Sequence, residues 1–242
     1  MWHIQKTDPA RNVFDAKYIT FVGAGGKSSL IEYLAGQADR RNKKTAIITT
    51  TKIYMQAPYM LFKEYASGKT PPVNPIRIGK TLENGKLTAL DFDDILELGK
   101  TFDTVLIEAD GAKGKPLKYP ARHEPVIPPF SEMVFVIAGL DSLFGHIDDK
   151  VFRWELLKNK KGLAGNEVIS PELFKHFFAE EILLKDIEQK PCTIVLNKYD
   201  TLIQREAPFE IAKSIIKKTG VEKVIVSSLT FQVFYEIKQL SL

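Results

Sequence analysis

The sequence predicts an α/β fold, a three-layer α/β/α arrangement of the P-loop NTPase kind built on a mostly parallel sheet. Three observations carry that prediction. Short apolar runs alternate with stretches whose apolar residues recur at helical spacing. Most of the runs are continuously apolar, as in strands with helices on both faces. The run at residues 18–23 then empties into the glycine-rich "GAGGKSS" of residues 23–29. A chain of 242 residues can bury a large core. No repeat, low-complexity tract or interdomain linker divides it, so residues 1–242 are read as one nucleotide-binding domain.

In chain order, strands are expected at "YITFVG" (18–23), "TAIITT" (45–50), "TVLIEAD" (104–110), "MVFVIAG" (133–139), "CTIVLN" (192–197) and "KVIVSS" (223–228). Helices are expected within "SSLIEYLAGQADRR" (28–41), "VFRWELLKNK" (151–160), "PELFKHFFAEEILLKD" (171–186) and "FEIAKSIIKKTG" (209–220). Ser170 suits an N-cap with Pro171 at the first helical position, and Gly220 suits a C-terminal stop. Residues 53–80, with several prolines and little periodicity, read as an irregular insertion.

Composition narrows the function classes. Lysine plus arginine (34) barely exceed aspartate plus glutamate (30), and the net charge of +4 with no polybasic block argues against nucleic acid. The single cysteine, Cys192, excludes an internal disulfide framework and a cysteine-based zinc cluster; inside an apolar run it reads as a buried structural thiol. The first residues lack the apolar segment of a signal peptide, and no run is long enough to span a bilayer. A cytoplasmic protein with neither membrane nor nucleic-acid partners is expected.

The glycine loop carries the first chemistry. Gly26, Lys27 and Ser28 match the end of G-x-x-x-x-G-K-[ST], but Phe21 stands at the first glycine position, so the loop is a shortened G-A-G-G-K-S with Gly23, Ala24 and Gly25 ahead of it and Ser29 behind. Glycines let backbone N–H groups turn around a polyphosphate, and the following helix offers its N-terminal dipole. Lys27 is placed to neutralise the β- and γ-phosphates and Ser28 to ligate magnesium. A dinucleotide fingerprint fits less well, because Ser28 replaces its third glycine and "TAIITTTK" offers no acidic residue for a ribose. A plain glycine turn is the remaining reading.

Further positions support the loop. "TVLIEADG" ends a strand in Glu108 and Asp110, where such enzymes hold magnesium; Asp110 is the first choice, against the alternative that it merely starts a turn with Gly111. Thr50, Thr51 and Lys52 follow a strand and could bond phosphate oxygens, although threonines are also simply good strand residues. "NKYD" offers Asn197, Lys198 and Asp200 in the pattern GTP-binding proteins use for guanine: Asp200 accepts from the base edge, the Lys198 stem lies along the ring, and Asn197 braces the loop. "VSSL" (226–229) could follow as a second base loop. The basic, proline-rich segment 110–128 holds Lys113, Lys115, Lys118, Arg122, His123 and Glu124, and reads either as a site for an anionic second substrate or as a solvated loop.

Together "FVGAGGKSSL", "TTTK", "EADGAKGKPLKYPARHEPVIP", "VIAGLDSLFGH" and "VLNKYD" resemble the YqeC-type family, regarded as accessory proteins of selenium-dependent molybdenum hydroxylases. The resemblance runs from about residue 19 to 200. It implies a nucleotide-binding protein assisting maturation of such an enzyme or its cofactor. It also implies phosphate contacts at Gly23, Gly25, Gly26, Lys27 and Ser28, a metal at Asp110, base contacts at Asn197 and Asp200, and substrate or partner contacts at Lys118, Arg122, His123 and Glu124. Phe144 is an extra bulky residue in one of these motifs.

Three functions remain open on the residues. The first is an NTPase using Mg2+ with GTP or ATP, catalysed through Lys27, Asp110 and Glu108, slow because no obvious water-activating glutamine or arginine finger is present. The second is an ATP-dependent ligase or kinase, since Mur-type ligases use a loop of this spacing. The third is a non-hydrolysing nucleotide or cofactor carrier.

Overall fold

The computed structural model describes residues 1–187 and 190–240. Its strands are β1 (Trp2–Lys6), β2 (Tyr18–Gly23), β3 (Thr45–Thr49), β4 (Lys52–Tyr54), β5 (Tyr59–Leu61), β6 (Ile76–Gly79), β7 (Leu82–Glu83) and β8 (Lys86–Thr88). There follow β9 (Thr104–Glu108), β10 (Leu117–Lys118), β11 (Met133–Gly139), β12 (Val151–Phe152), β13 (Cys192–Asn197), β14 (Lys223–Ser228) and β15 (Val233–Gln239). The α-helices are α1 (Lys27–Asp39), α2 (Phe62–Ala66), α3 (Phe92–Leu98), α4 (Ile147–Lys150), α5 (Trp154–Lys161), α6 (Pro171–His176) and α7 (Ala207–Thr219).

Ten strands make one sheet in the order β1-β15-β14-β13-β11-β2-β9-β3-β6-β5. Every neighbouring pair from β14 to β5 is parallel, whereas β15 runs antiparallel to both β14 and β1. The chain is thus α/β with a large, mostly parallel sheet. All six strands expected from the sequence lie in it. Their continuous apolar runs are explained by helices on both faces. Ile19 and Phe21 of β2 pack with Leu30, Ile31 and Leu34 of α1. Val136 of β11 and Leu196 of β13 pack on the opposite side with Phe174 of α6 and Ile211 and Ile215 of α7.

Residues 53–80 are not irregular as expected. They hold β5, α2 and β6, and both strands extend the parallel sheet at one edge. Strands of three and four residues are too short to show periodicity beside four prolines. The helix expected over 171–186 ends at His176. Phe174, Phe177, Phe178, Ile182, Leu183 and Ile187 all enter one core, and those positions point around the whole circumference of a helix rather than along one stripe. The chain therefore leaves the helix to bury them. Cys192 is half-buried against the same core, and burial pushes its thiol up to about 12. Among the described residues no helix is long and apolar enough to cross a membrane.

Parallel strands end on one side of the sheet. That places the loops after β2, β3, β9, β11, β13 and β14 together, the position where open α/β sheets bind ligands.

The expected caps form. Ser170 Oγ accepts the Leu173 N–H at 3.1 Å, and Gly220 closes α7 at φ 71°. Ser170→Ala should lower stability by about 1 kcal/mol, a shift of roughly 2–4 °C in melting temperature for a chain this size, measurable by thermal and urea unfolding.

Candidate functional site

The loop between β2 and α1 is shaped by what it touches. Gly23, Gly25 and Gly26 have φ of 95°, 80° and 131°. A Cβ would lie 2.2 Å from the Ile137 carbonyl oxygen at Gly23, 2.2 Å from the Gly139 nitrogen at Gly25, and 2.3 Å from Asn197 Nδ2 at Gly26. Any side chain would push the loop off the ends of β11 and β13. Three of its N–H groups are already used inside the protein: Gly23 donates to Asp110 Oδ2 at 3.0 Å, Ala24 to the Ile137 carbonyl at 2.8 Å, and Gly25 to the Lys115 carbonyl at 3.2 Å. The donors left for a ligand among the described residues are the Gly26 N–H and those of the first turn of α1 at Lys27, Ser28 and Ser29, which have no carbonyl four residues back within the helix.

Beneath the loop runs a chain of alternating charges. Lys27 Nζ donates to the Gly23 carbonyl at 2.6 Å and lies 3.0 Å from Asp110 Oδ1. Lys118 Nζ lies 3.0 Å from Asp110 Oδ2 and 2.7 Å from Glu124 Oε2, and also donates to the Gly111 carbonyl at 2.8 Å. Arg153 clasps Glu124 with two bonds of 2.6 and 3.0 Å. Lys27, Asp110, Lys118 and Glu124 are all buried. Burial alone would pull the Lys27 ammonium down, but Asp110 and Glu108 outweigh it and the net shift is upward. Burial likewise pushes Glu124 up, yet the bonds from Arg153 and Lys118 hold it below its ordinary value. Glu108, 3.9 Å from Lys27, stands at the end of the cluster; burial pushes its carboxyl up, with Lys27 opposing and Asp110 adding to the shift.

Above the loop opens a cavity of about 430 Å3, within the range of small-molecule sites. Seven cationic side chains line it, Lys27, Lys52, Arg77, Lys86, Lys113, Lys115 and Lys198, against two carboxylates, Glu32 and Glu108. Five of the seven have a carboxylate partner: Lys27 with Asp110, Lys52 with Glu83, Arg77 with Glu32, Lys115 with Asp149 and Lys198 with Asp141. Lys86 and Lys113 have none among the described residues; the Lys86 ammonium sits 4.5 Å over the Tyr54 ring and that of Lys113 5.5 Å from the Phe152 ring. Ser28 Oγ donates to Glu108 Oε2 at 3.4 Å on the cavity wall.

The sequence-derived residues thus divide. Gly25, Gly26, Lys27, Ser28, Ser29, Lys52, Glu108 and Lys198 line the cavity with Ala24. Asp110 does not; it is 2% exposed, behind the two lysines. Thr50 does not either, since its hydroxyl donates to the Val126 carbonyl at 2.7 Å, and Thr51 bonds back to Thr49. Lys118 and Glu124 are inside the protein and have no surface to offer a macromolecular partner, while Arg122 and His123 are exposed. Asn197 braces the loops: its Nδ2 donates to the Gly25 carbonyl at 2.9 Å, and its Oδ1 accepts from Ser227 Oγ at 3.2 Å and the Leu229 N–H at 3.3 Å. Asp200 is half-buried in the following turn and makes no side-chain hydrogen bond among the described residues.

Sequence reasoning passed over Glu32, Tyr54, Gln56, Arg77 and Lys86. Gln56 and Arg77 both stand on the cavity wall. One signal was present: "LENGKL" carries an Asn-Gly pair, and Asn84 and Gly85 turn at φ 48° and 71° between β7 and β8, which brings Lys86 to the cavity.

A family model described as "YqeC protein" matches residues 19–155. The chain belongs to the YqeC family. The matched span contains the glycine loop, the charge chain through Arg153 and every cavity residue named above except Lys198; Asn197–Asp200 fall outside it. A protein of Escherichia coli (strain K12) described as "Uncharacterized protein YqeC" is 32% identical over 156 residues, covering 60% of this chain. The match spans 61% of that relative's length.

Removing one member of a buried ion network strands the others. Lys118→Met should therefore cost about 3–5 kcal/mol in chemical unfolding, far more than Arg122→Met at the surface. Glu124 adds a pH dependence. Its carboxyl sits lower folded than its ordinary 4.5, so its contribution is complete above that value and lost as the pH falls through the folded one. The stability gap between wild type and Glu124→Gln should narrow steadily as unfolding is measured from pH 7 down past that range.

Proposed function

We propose that this chain binds a magnesium–nucleoside triphosphate at residues 23–29 and hydrolyses it, with the three-layer architecture of the P-loop NTPases. One observation carries the reading: Lys27 and Ser28 open a thirteen-residue helix whose first turn lines a cavity with an excess of cations. Helix N-termini favour anions, and a lysine at that point neutralises phosphate charge.

In this reading Lys27 turns from the Gly23 carbonyl and Asp110 towards the phosphates. Lys118 stays on Asp110, so the buried carboxylate keeps a counter-ion when Lys27 leaves; that lowers the cost of the movement. Ser28 and Glu108 would hold the magnesium. Two adjacent oxygen donors on the cavity wall fit an ion that binds through one or two protein ligands and otherwise through water and phosphate. When bound, magnesium neutralises charge on the terminal phosphates. Glu108 takes this role in preference to Asp110, which is buried and does not line the cavity. Gly26, Ser29 and Ala24 form the phosphate wall, Asn197 fixes Gly25, and Lys198 with Asp200 receive the base, which favours guanine. The proposed setting, maturation of a selenium-dependent molybdenum hydroxylase or its cofactor, is supported by the family resemblance of the motifs and not by the geometry.

Thermal unfolding with GTP or ATP, with and without magnesium, tests this. Ligand at a hundredfold its dissociation constant should stabilise wild type by about 2.7 kcal/mol, and Lys27→Ala should abolish the effect. Asp200→Asn should remove a preference for GTP while leaving ATP binding unchanged. No magnesium-dependent stabilisation by either nucleotide would sink the proposal.

A further inference from the structure

Among the described residues, the cavity holds two cations with no carboxylate partner, Lys86 and Lys113. Neither lies in the glycine loop. Lys86 projects from the β7–β8 hairpin, and its position is fixed by Tyr54, its direct partner across the β4–β8 ladder, whose ring lies 4.5 Å from the ammonium. Lys113 comes from the loop after β9, at φ 47°. Arg77 joins them on the wall, its single carboxylate partner, Glu32, being half-exposed.

Sheet order says where these residues stand. From the glycine loop after β2, the strands run one way to β11 and β13, which ends in Asn197, and the other way to β9, β3 and β6. Lys113 follows β9, Tyr54 and Lys86 belong to the ladder after β3, and Arg77 is on β6. A nucleotide with its base at Lys198 and Asp200 and its phosphates on α1 therefore points its terminal phosphate at this group. Lys27 and the first turn of α1 serve the triphosphate. Lys86 and Lys113 remain surplus, and clefts of one charge sign concentrate ligands of the other.

We infer that the β9–β3–β6 side of the cavity is a subsite for a second ligand, a small molecule with at least two anionic groups, held by Lys86 and Lys113 with Arg77 beside them. The inference rests on the nucleotide reading for its place beside the terminal phosphate, but its charge argument does not need a nucleotide. It makes the cavity a two-ligand site.

Inorganic pyrophosphate is the probe, titrated calorimetrically into the full chain saturated with a non-hydrolysable GTP analogue, magnesium being in excess of both. Pyrophosphate should bind alongside the analogue, and Lys86→Ala and Lys113→Ala should each weaken it by about tenfold or more while leaving analogue affinity and the unliganded melting temperature unchanged. Lys86→Arg should retain most of the binding. If pyrophosphate competes with the analogue and responds to Lys27→Ala but not to Lys86→Ala, it occupies only the phosphate loop and the subsite is wrong. No binding of pyrophosphate to wild type overturns it as well. Should the analogue fail to bind while pyrophosphate binds and is lost in Lys86→Ala, the subsite stands and the nucleotide reading falls.

Discussion

A carboxylate that is 2% exposed sets the terms for the rest of this molecule. Asp110 fixes the glycine loop through the Gly23 N–H, and its two buried oxygens are met by Lys27 and Lys118, each at 3.0 Å. Lys118 in turn needs Glu124, and Glu124 needs Arg153. Each charge is affordable only with the next, so the segment from Gly111 to Val126 has to wrap back under the loop. That requirement explains a stretch with many prolines and charges and few apolar residues. Its job is to route a buried ion chain, and it does so on backbone carbonyls as well: Lys115 and Pro116 accept from Gly25 and Gly139.

The same chain explains how the loop is held. Its N–H groups at Gly23 and Gly25 are tied to Asp110 and Lys115 of one segment, and that at Ala24 to Ile137 of another. Asn197 ties the Gly25 carbonyl to a third. Only Lys27 is held by interactions that a phosphate could replace in kind, one carbonyl and one carboxylate. In the proposed nucleotide complex, conformational change would thereby be concentrated in one side chain, with the backbone arranged beforehand.

What could be read from the sequence follows burial. The six strands at the middle of the sheet were legible because both of their faces are covered, which leaves an unbroken apolar run. The loop and the NKYD turn were legible because they are local in sequence. Residues 53–80 defeated the reading because β5 and β6 are stabilised by neighbours, not by any pattern of their own. The charge chain was illegible for a different reason. Its members at 27, 110, 118, 124 and 153 are brought together by tertiary structure, and Lys118 and Glu124 look like surface residues until the fold buries them. Charge type could be read; whether each charge met another charge or water could not.

The antiparallel edge has a consequence for how the chain reaches this state. β1, at residues 2–6, has a single neighbour, β15 at residues 233–239, paired from Trp2↔Gln239 to Lys6↔Tyr235. That partner is more distant in sequence than the partner of any other strand in the sheet, so closing this ladder joins the largest loop in the topology, a step of high contact order. Its polar, alternating sequence, with His3, Gln5 and Lys6, keeps that outer edge poorly suited to the wrong partner.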